Sequence, residues 1–124
     1  MTQEEKELVI KDLCGRLPYS SVQIHISYED GFKYDKTLTY EDVKNYSQLP
    51  ACSTTIVKPY LRPMSSMTEG ERRMYKELSS NFGFTEFHKA SAILIGWLNQ
   101  KMFDYRGLIP NGLALEAPEG MYKN

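Results

Sequence analysis

From Val22 to Glu29, apolar and polar residues alternate without a break. Val22, Ile24, Ile26 and Tyr28 fall on one side, and Gln23, His25, Ser27 and Glu29 on the other. A period of two marks a strand with one face on a core and one in solvent. Asp30-Gly31 follows, a pair suited to the positive φ angles of a tight hairpin. Phe32, Tyr34, Leu38 and Tyr40 then resume alternate positions, with Lys36 interrupting. The pattern predicts an antiparallel hairpin. "TTIVKPYLRP" carries the β-branched residues of a third strand. It should end at Pro59 or lie at an edge, because proline has no N–H for a ladder. "YEDVKNY" reads as a connector with one helical turn.

Elsewhere the period is helical. "TQEEKELVIKDLCG" opens with Thr2 and Glu5 at capping-box spacing, and Val9, Leu13 and Leu17 recur every fourth residue with Leu8 beside them. Gly15 is suited to the left-handed turn that stops a helix, and Pro18 prevents its resumption. After Pro63, Ser66 with Glu69 and Thr68 with Glu71 repeat the capping spacing, and Met67, Met74, Tyr75, Leu78 and Phe82 form a stripe ending at Gly83. A second helix restarts at Thr85, with Phe87, Ala90, Leu94, Trp97, Leu98 and Met102 as its main stripe. Ile93 and Ile95 widen that stripe, so this helix should be the most buried element. The joint between the two helices is short, which predicts antiparallel packing.

These elements predict an α+β domain over 1–124: a helix over 1–17, a small antiparallel sheet of about three strands within 20–62, a helical pair over 66–104 and an arm over 105–124. The strand around Ile24 and the helix around Trp97 should be two halves of one interior. The arm "YRGLIPNGLALEAPEGMYKN" is apolar, but its prolines and glycines forbid a helix or long strand. Leu108, Ile109, Leu113 and Leu115 would form an exposed patch if left in water. The arm should therefore fold back on its own chain, with a contact to a partner or a second copy as the alternative.

Composition narrows the function classes. A chain of 124 residues is long enough to bury a core without metals or disulfides. Net charge is -1, so no global field draws nucleic acid or an anionic membrane. No apolar run approaches the ~20 residues of a membrane span, and the opening "MTQEEKELVI" is acidic rather than signal-like. A cytoplasmic protein without a membrane partner is expected. Cys14 and Cys52 then read as reduced thiols.

The search for chemistry excludes more than it finds. His25, His88, Cys14 and Cys52 are not spaced to converge on an ion, so no metal site is expected. No G-x-S-x-G elbow or phosphate loop occurs, no cofactor motif is present, and no pair of carboxylates stands out. Lys58, Arg62, Arg72, Arg73 and Lys76 cluster with Tyr60 and Tyr75, but Glu69, Glu71 and Glu77 neutralise the same stretch. This disfavours nucleic acid. Tyrosine is the compositional oddity, at nine positions. It offers a broad contact face and a hydroxyl at low entropic cost. Tyr28, Tyr34, Tyr40 and Tyr75 fit the edge of a core, whereas Tyr19, Tyr60, Tyr105 and Tyr122 are free to make contacts.

"DLCGRLPY", "KPYLRPMSSMTEGE" and "DYRGLIPNGLALEAPEGMYK" resemble three blocks shared by a family of small uncharacterised proteins of Bacteroides-group gut bacteria and their phages and prophages. The resemblance implies an intracellular, phage-encoded protein and carries over no catalytic residues. By analogy of lifestyle it points to a non-enzymatic binding protein: a counter-defence inhibitor of a host protein, or a sponge for a nucleotide signal. Tyr19, Tyr60, Arg62, Tyr105 and Arg106 would surround its pocket. The alternatives are a small carboxylate enzyme and a phage structural or assembly protein. A homo-oligomer formed through the C-terminal arm belongs with the last of these.

Overall fold

The computed structural model describes residues 2–19, 21–50, 53–80 and 87–122. Phe82, Gly83, Thr85 and Cys52 lie outside the described residues, as do the side chains of Phe87, His88 and Ala90. The described elements are α1 (Gln3–Arg16), β1 (Gln23–Ser27), β2 (Lys33–Thr37), α2 (Tyr40–Gln48), β3 (Ile56–Leu61), a 3-10 turn (Met64–Ser66), α3 (Glu69–Ser80), α4 (Phe87–Gln100) and β4 (Leu115–Glu116).

The fold is α+β, with the strands ordered β2-β1-β3-β4. β1 pairs antiparallel with both β2 and β3, as the alternation predicts. β4 pairs parallel with β3, Tyr60 facing Leu115, which makes the sheet mixed and four-stranded. The arm is thus part of the sheet of its own chain.

Several local expectations are corrected. The hairpin loop has three residues: Tyr28 donates to Phe32, Gly31 donates to Tyr28, and only Gly31 has positive φ. That is a turn closed by a left-handed glycine rather than a two-residue turn on Asp30-Gly31. Pro59 lies inside β3, buried, opposite Ile24. Val22 accepts from Leu38 and Tyr28 donates to Phe32, so the even-numbered residues of β1 spend their backbone groups on β2. Ile24 therefore has none for β3, and the N–H that Pro59 lacks is not required there.

Gly15 stays helical, and α1 runs on to Arg16. A Cβ at Gly15 would meet the Asn99 amide at 3.5 Å, an ordinary van der Waals contact, so this glycine lies within α1 against α4 and does not terminate the helix. "YEDVKNY" belongs to a full helix, α2, whose Thr39–Asp42 capping box starts it and whose Val43 and Tyr46 are buried. Tyr40 is accordingly helical and exposed rather than part of a strand. In α3, Thr68 and Glu71 make the reciprocal cap, while Ser66 bonds Pro63 instead.

The interior is divided. Val9 and Leu13 of α1 join Val22, Ile24, Ile26, Val57 and Leu61 of the sheet, Val43 and Tyr46 of α2, and Leu108, Leu113 and Ala114 of the arm. A second, smaller cluster joins Met67, Leu98 and Phe103, with Leu94, Trp97 and Tyr75 packed against it. Ile24 and Trp97 thus lie in different clusters, not in one interior. Nor is α4 the most buried element, because Ile93 and Ile95 are exposed. Leu94 and Leu98 share one side of the helix, and the two isoleucines sit about 100° away on either flank. Met102 does reach the main cluster, but from beyond the end of α4 and with φ of 64°. Phe103 donates to Leu98 and Met102 to Asn99, a Schellman ending with methionine where glycine is usual. The strain is held by burial of the Met102 side chain and by its carbonyl accepting from Arg62 at 2.7 Å.

Candidate binding site

The five residues expected around a pocket are dispersed over four neighbourhoods. Tyr105 and Arg106 belong to a buried ionic cluster with Asp12 and Arg16 of α1. Asp12 and Arg16 fall on the same helical side as Val9 and Leu13, and both are fully buried. Arg16 donates to both oxygens of Asp12 at 2.8 and 3.0 Å, and to the Phe103 carbonyl at 2.7 Å. Arg106 adds a bond to Asp12 Oδ1 at 2.7 Å. The Tyr105 ring lies against both guanidiniums, 5.4 Å from that of Arg16 and 4.7 Å from that of Arg106, and its hydroxyl donates to Asn99. Two arginines and a carboxylate so arranged tie α1 to the chain leaving α4, and removing one partner would strand buried charge.

Arg62 is committed elsewhere. It donates to Glu71 through Nη1 at 2.8 Å and through Nη2 at 2.6 Å, and its guanidinium lies 4.2 Å from the Phe103 ring centroid. These charge-assisted bonds hold Glu71 at a pKa of about 2, against 4.5 ordinarily. A cavity of ≈ 420 Å³ opens beside Arg62, walled by Glu116 to Gly120 and Tyr122. The bidentate pair leaves Arg62 little to offer an anion there. Tyr19 is exposed and lies over α4, where a Cβ at Gly96 would sit 3.0 Å from its hydroxyl.

Tyr60 faces the outer side of the sheet, within a polar network that sequence reasoning did not assemble. Its hydroxyl donates to Asp35 at 2.9 Å, and His25 Nδ1 lies 2.7 Å from the same oxygen. The hydrogen bond to His25 is the chief cause that lowers the pKa of Asp35. Ser27 Oγ stands 3.5 Å from His25 Nε2. Serine, imidazole and carboxylate occur in the order a nucleophile, base and orienting group require. The Ser27–His25 contact is loose, however, and neither described cleft includes this trio. Cross-strand hydrogen bonding on an open face accounts for the geometry. The signal was legible: His25 and Ser27 share the polar side of the alternation.

On the inner face the sheet outruns the helices beneath it. Tyr28, Phe32 and Tyr34 lie mutually in contact with centroids 5.6 to 6.1 Å apart, and they are 40%, 61% and 37% exposed. A cleft of ≈ 210 Å³ runs from Tyr28 and Tyr34 to Tyr46, lined also by Asp42, Asn45 and Leu49 and, among the described residues, by no lysine or arginine. Asp42 is occupied by Lys36 at 2.8 Å and by its capping bonds to Thr39. The periodicity places Tyr28 and Tyr34 on the core side, but it carries no information on how far α2 extends to cover them.

The aromatic cluster adjoins an open edge. Because Phe32 and Leu38 exchange backbone bonds with β1, the even positions of β2 face inward along the sheet plane. The N–H and C=O groups of Lys33, Asp35 and Thr37 therefore point outward from the edge strand, where no described strand pairs with them.

Among the described residues no group of three or more His, Cys, Asp or Glu could hold a metal ion, and no helix is long and apolar enough to cross a membrane. No family model, curated protein or solved structure matches the chain.

Proposed function

We propose that this is a non-enzymatic binding protein that takes a polypeptide partner by adding a strand to β2. One observation carries the reading: an edge strand with outward backbone groups stands directly beside three contacting, exposed aromatic rings. Strand addition draws affinity from main-chain bonds and selectivity from side-chain pockets alongside. Here the pocket is the cleft between Tyr34 and Tyr46, which accepts an apolar or aromatic side chain. An aromatic cluster left bare on a small domain is otherwise a liability.

The cleft favours a protein partner over a nucleotide signal, since among the described residues no lysine or arginine lines it and the flanking Lys36 and Lys6 are committed to Asp42 and to the Leu49 carbonyl. A host protein, the counter-defence form suggested by analogy of lifestyle, and a second copy of this chain are the two polypeptide partners such an edge would take. Titration of isotope-labelled protein with a blocked peptide of alternating valine, threonine and glutamate tests the surface. Backbone signals of Lys33, Asp35 and Thr37 should shift and their amide exchange should slow. Shifts confined to the Arg62 cavity would refute the reading.

A further inference from the structure

The open edge bears a charge pattern that complements itself. Resting on the strand-addition reading, we infer that the partner is a second copy of this chain, joined through β2 in an antiparallel pair with its two-fold axis at Tyr34.

The outward backbone groups belong to Lys33, Asp35 and Thr37, so a symmetric antiparallel pair must match odd positions with odd positions. Five centres are available within the strand, and an axis at Thr37 would set Asp35 against Thr39, whose N–H and C=O are committed to the cap of α2. An axis at Lys33, Asp35 or Lys36 sets that residue against its own copy, and therefore like charge against like charge. The axis at Tyr34 sets Lys33 against Asp35 of the copy, twice, and Tyr34 against itself. Opposite charges directly across an antiparallel pair attract and like charges repel.

The side chains are free to make these contacts. Lys33 is exposed and in no salt bridge with a described residue. Asp35 is half exposed, and both of its bonds use Oδ1, which leaves Oδ2 for the lysine of the copy. On the inner face the same register brings the two aromatic clusters together, with Phe32 opposite Lys36 of the copy. A single symmetric contact thus uses the open edge, the unspent charges and the exposed rings at once, as an isologous interface does.

The test uses the full chain. Sedimentation over a wide concentration range should show a monomer–dimer equilibrium. Lys33→Glu should weaken it at least tenfold without changing the melting temperature, because it places acid against acid at two points. Lys33→Glu with Asp35→Lys should restore it. With Cys14 and Cys52 replaced by serine, Tyr34→Cys should form an intersubunit disulfide under mild oxidation far faster than Asp35→Cys. Faster cross-linking at position 35, or no effect of Lys33→Glu on a dimer, overturns the register. A chain that stays monomeric while the valine–threonine–glutamate peptide shifts β2 overturns the second copy and leaves the strand-addition reading standing. A monomer whose β2 signals ignore that peptide overturns both.

Discussion

The two edges of this sheet are treated in opposite ways. At one edge, β3 is covered by the C-terminal arm. β4 pairs with Tyr60 and Leu61, Ala117 donates to Leu61, and the Tyr122 hydroxyl donates to the Tyr60 carbonyl while accepting from Gln23. Burial there pushes the Tyr122 phenol up to about 12. At the other edge no described strand lies beyond β2, and the rings of its hairpin are exposed. An edge strand with free backbone groups invites association. The C-terminal arm closes one edge, and among the described residues the other stays open, which is why the proposed partner is assigned to β2. The arm's buried apolar residues are used in its own chain.

Removing the cover should have the largest effect. Deletion of residues 106–124 takes Leu108, Leu113 and Ala114 from the main cluster and Arg106 from Asp12. The truncated chain should lose cooperative unfolding and dispersed NMR signals. Leu108→Ala alone should cost about 2–5 kcal/mol in denaturant titration. A stable truncated monomer would erase the distinction between the edges.

Next comes the ionic cluster that anchors the arm. Asp12→Asn leaves Arg16 buried without a countercharge and should cost about 3–5 kcal/mol. If Asp12→Asn is silent, Arg106 does not hold the arm through this carboxylate.

Glu71 sharpens the comparison through pH. Its carboxyl titrates near 4.5 when free and at about 2 in the fold. A depressed pKa stabilises the fold above the unfolded value, and that stability fades as pH falls from about 4.5 towards 2. The contribution is at most about 3 kcal/mol at neutral pH. Glu71→Gln should flatten the acid limb of a stability–pH curve, and an unchanged limb would place the acid sensitivity elsewhere.

The smallest effect should come from the open edge. Phe32→Ser removes an exposed ring and should change stability by no more than about 0.5 kcal/mol, while weakening association at β2. A loss much above that would mean the aromatic cluster supports the fold rather than a contact.

Much of the architecture was legible because local pattern and tertiary role agree. The alternation from Val22 to Tyr28 became β1, the Thr2–Glu5 spacing became a reciprocal cap, and the arm docked on its own chain. Legibility failed where a residue's meaning depends on a distant partner. Gly15 resembled a helix stop, yet it lies within α1 beside Asn99 of α4. Arg62 and Arg106 resembled ligand-binding cations until Glu71 and Asp12 were seen to occupy them. Tyr28 and Tyr34 resembled the rim of a core because the sequence does not record where α2 ends in space.

Periodicity and capping act over a few residues, so the sequence alone determined which segments are strands and helices and which face of each is apolar. The division of the interior into two clusters, the closing of one sheet edge by a parallel β4 and the pairing of Arg62 with Glu71 and of Arg106 with Asp12 were decided by tertiary structure. Those outcomes depend on contacts between residues as far apart as Asp12 and Arg106, where chain geometry, not local preference, selects the partner.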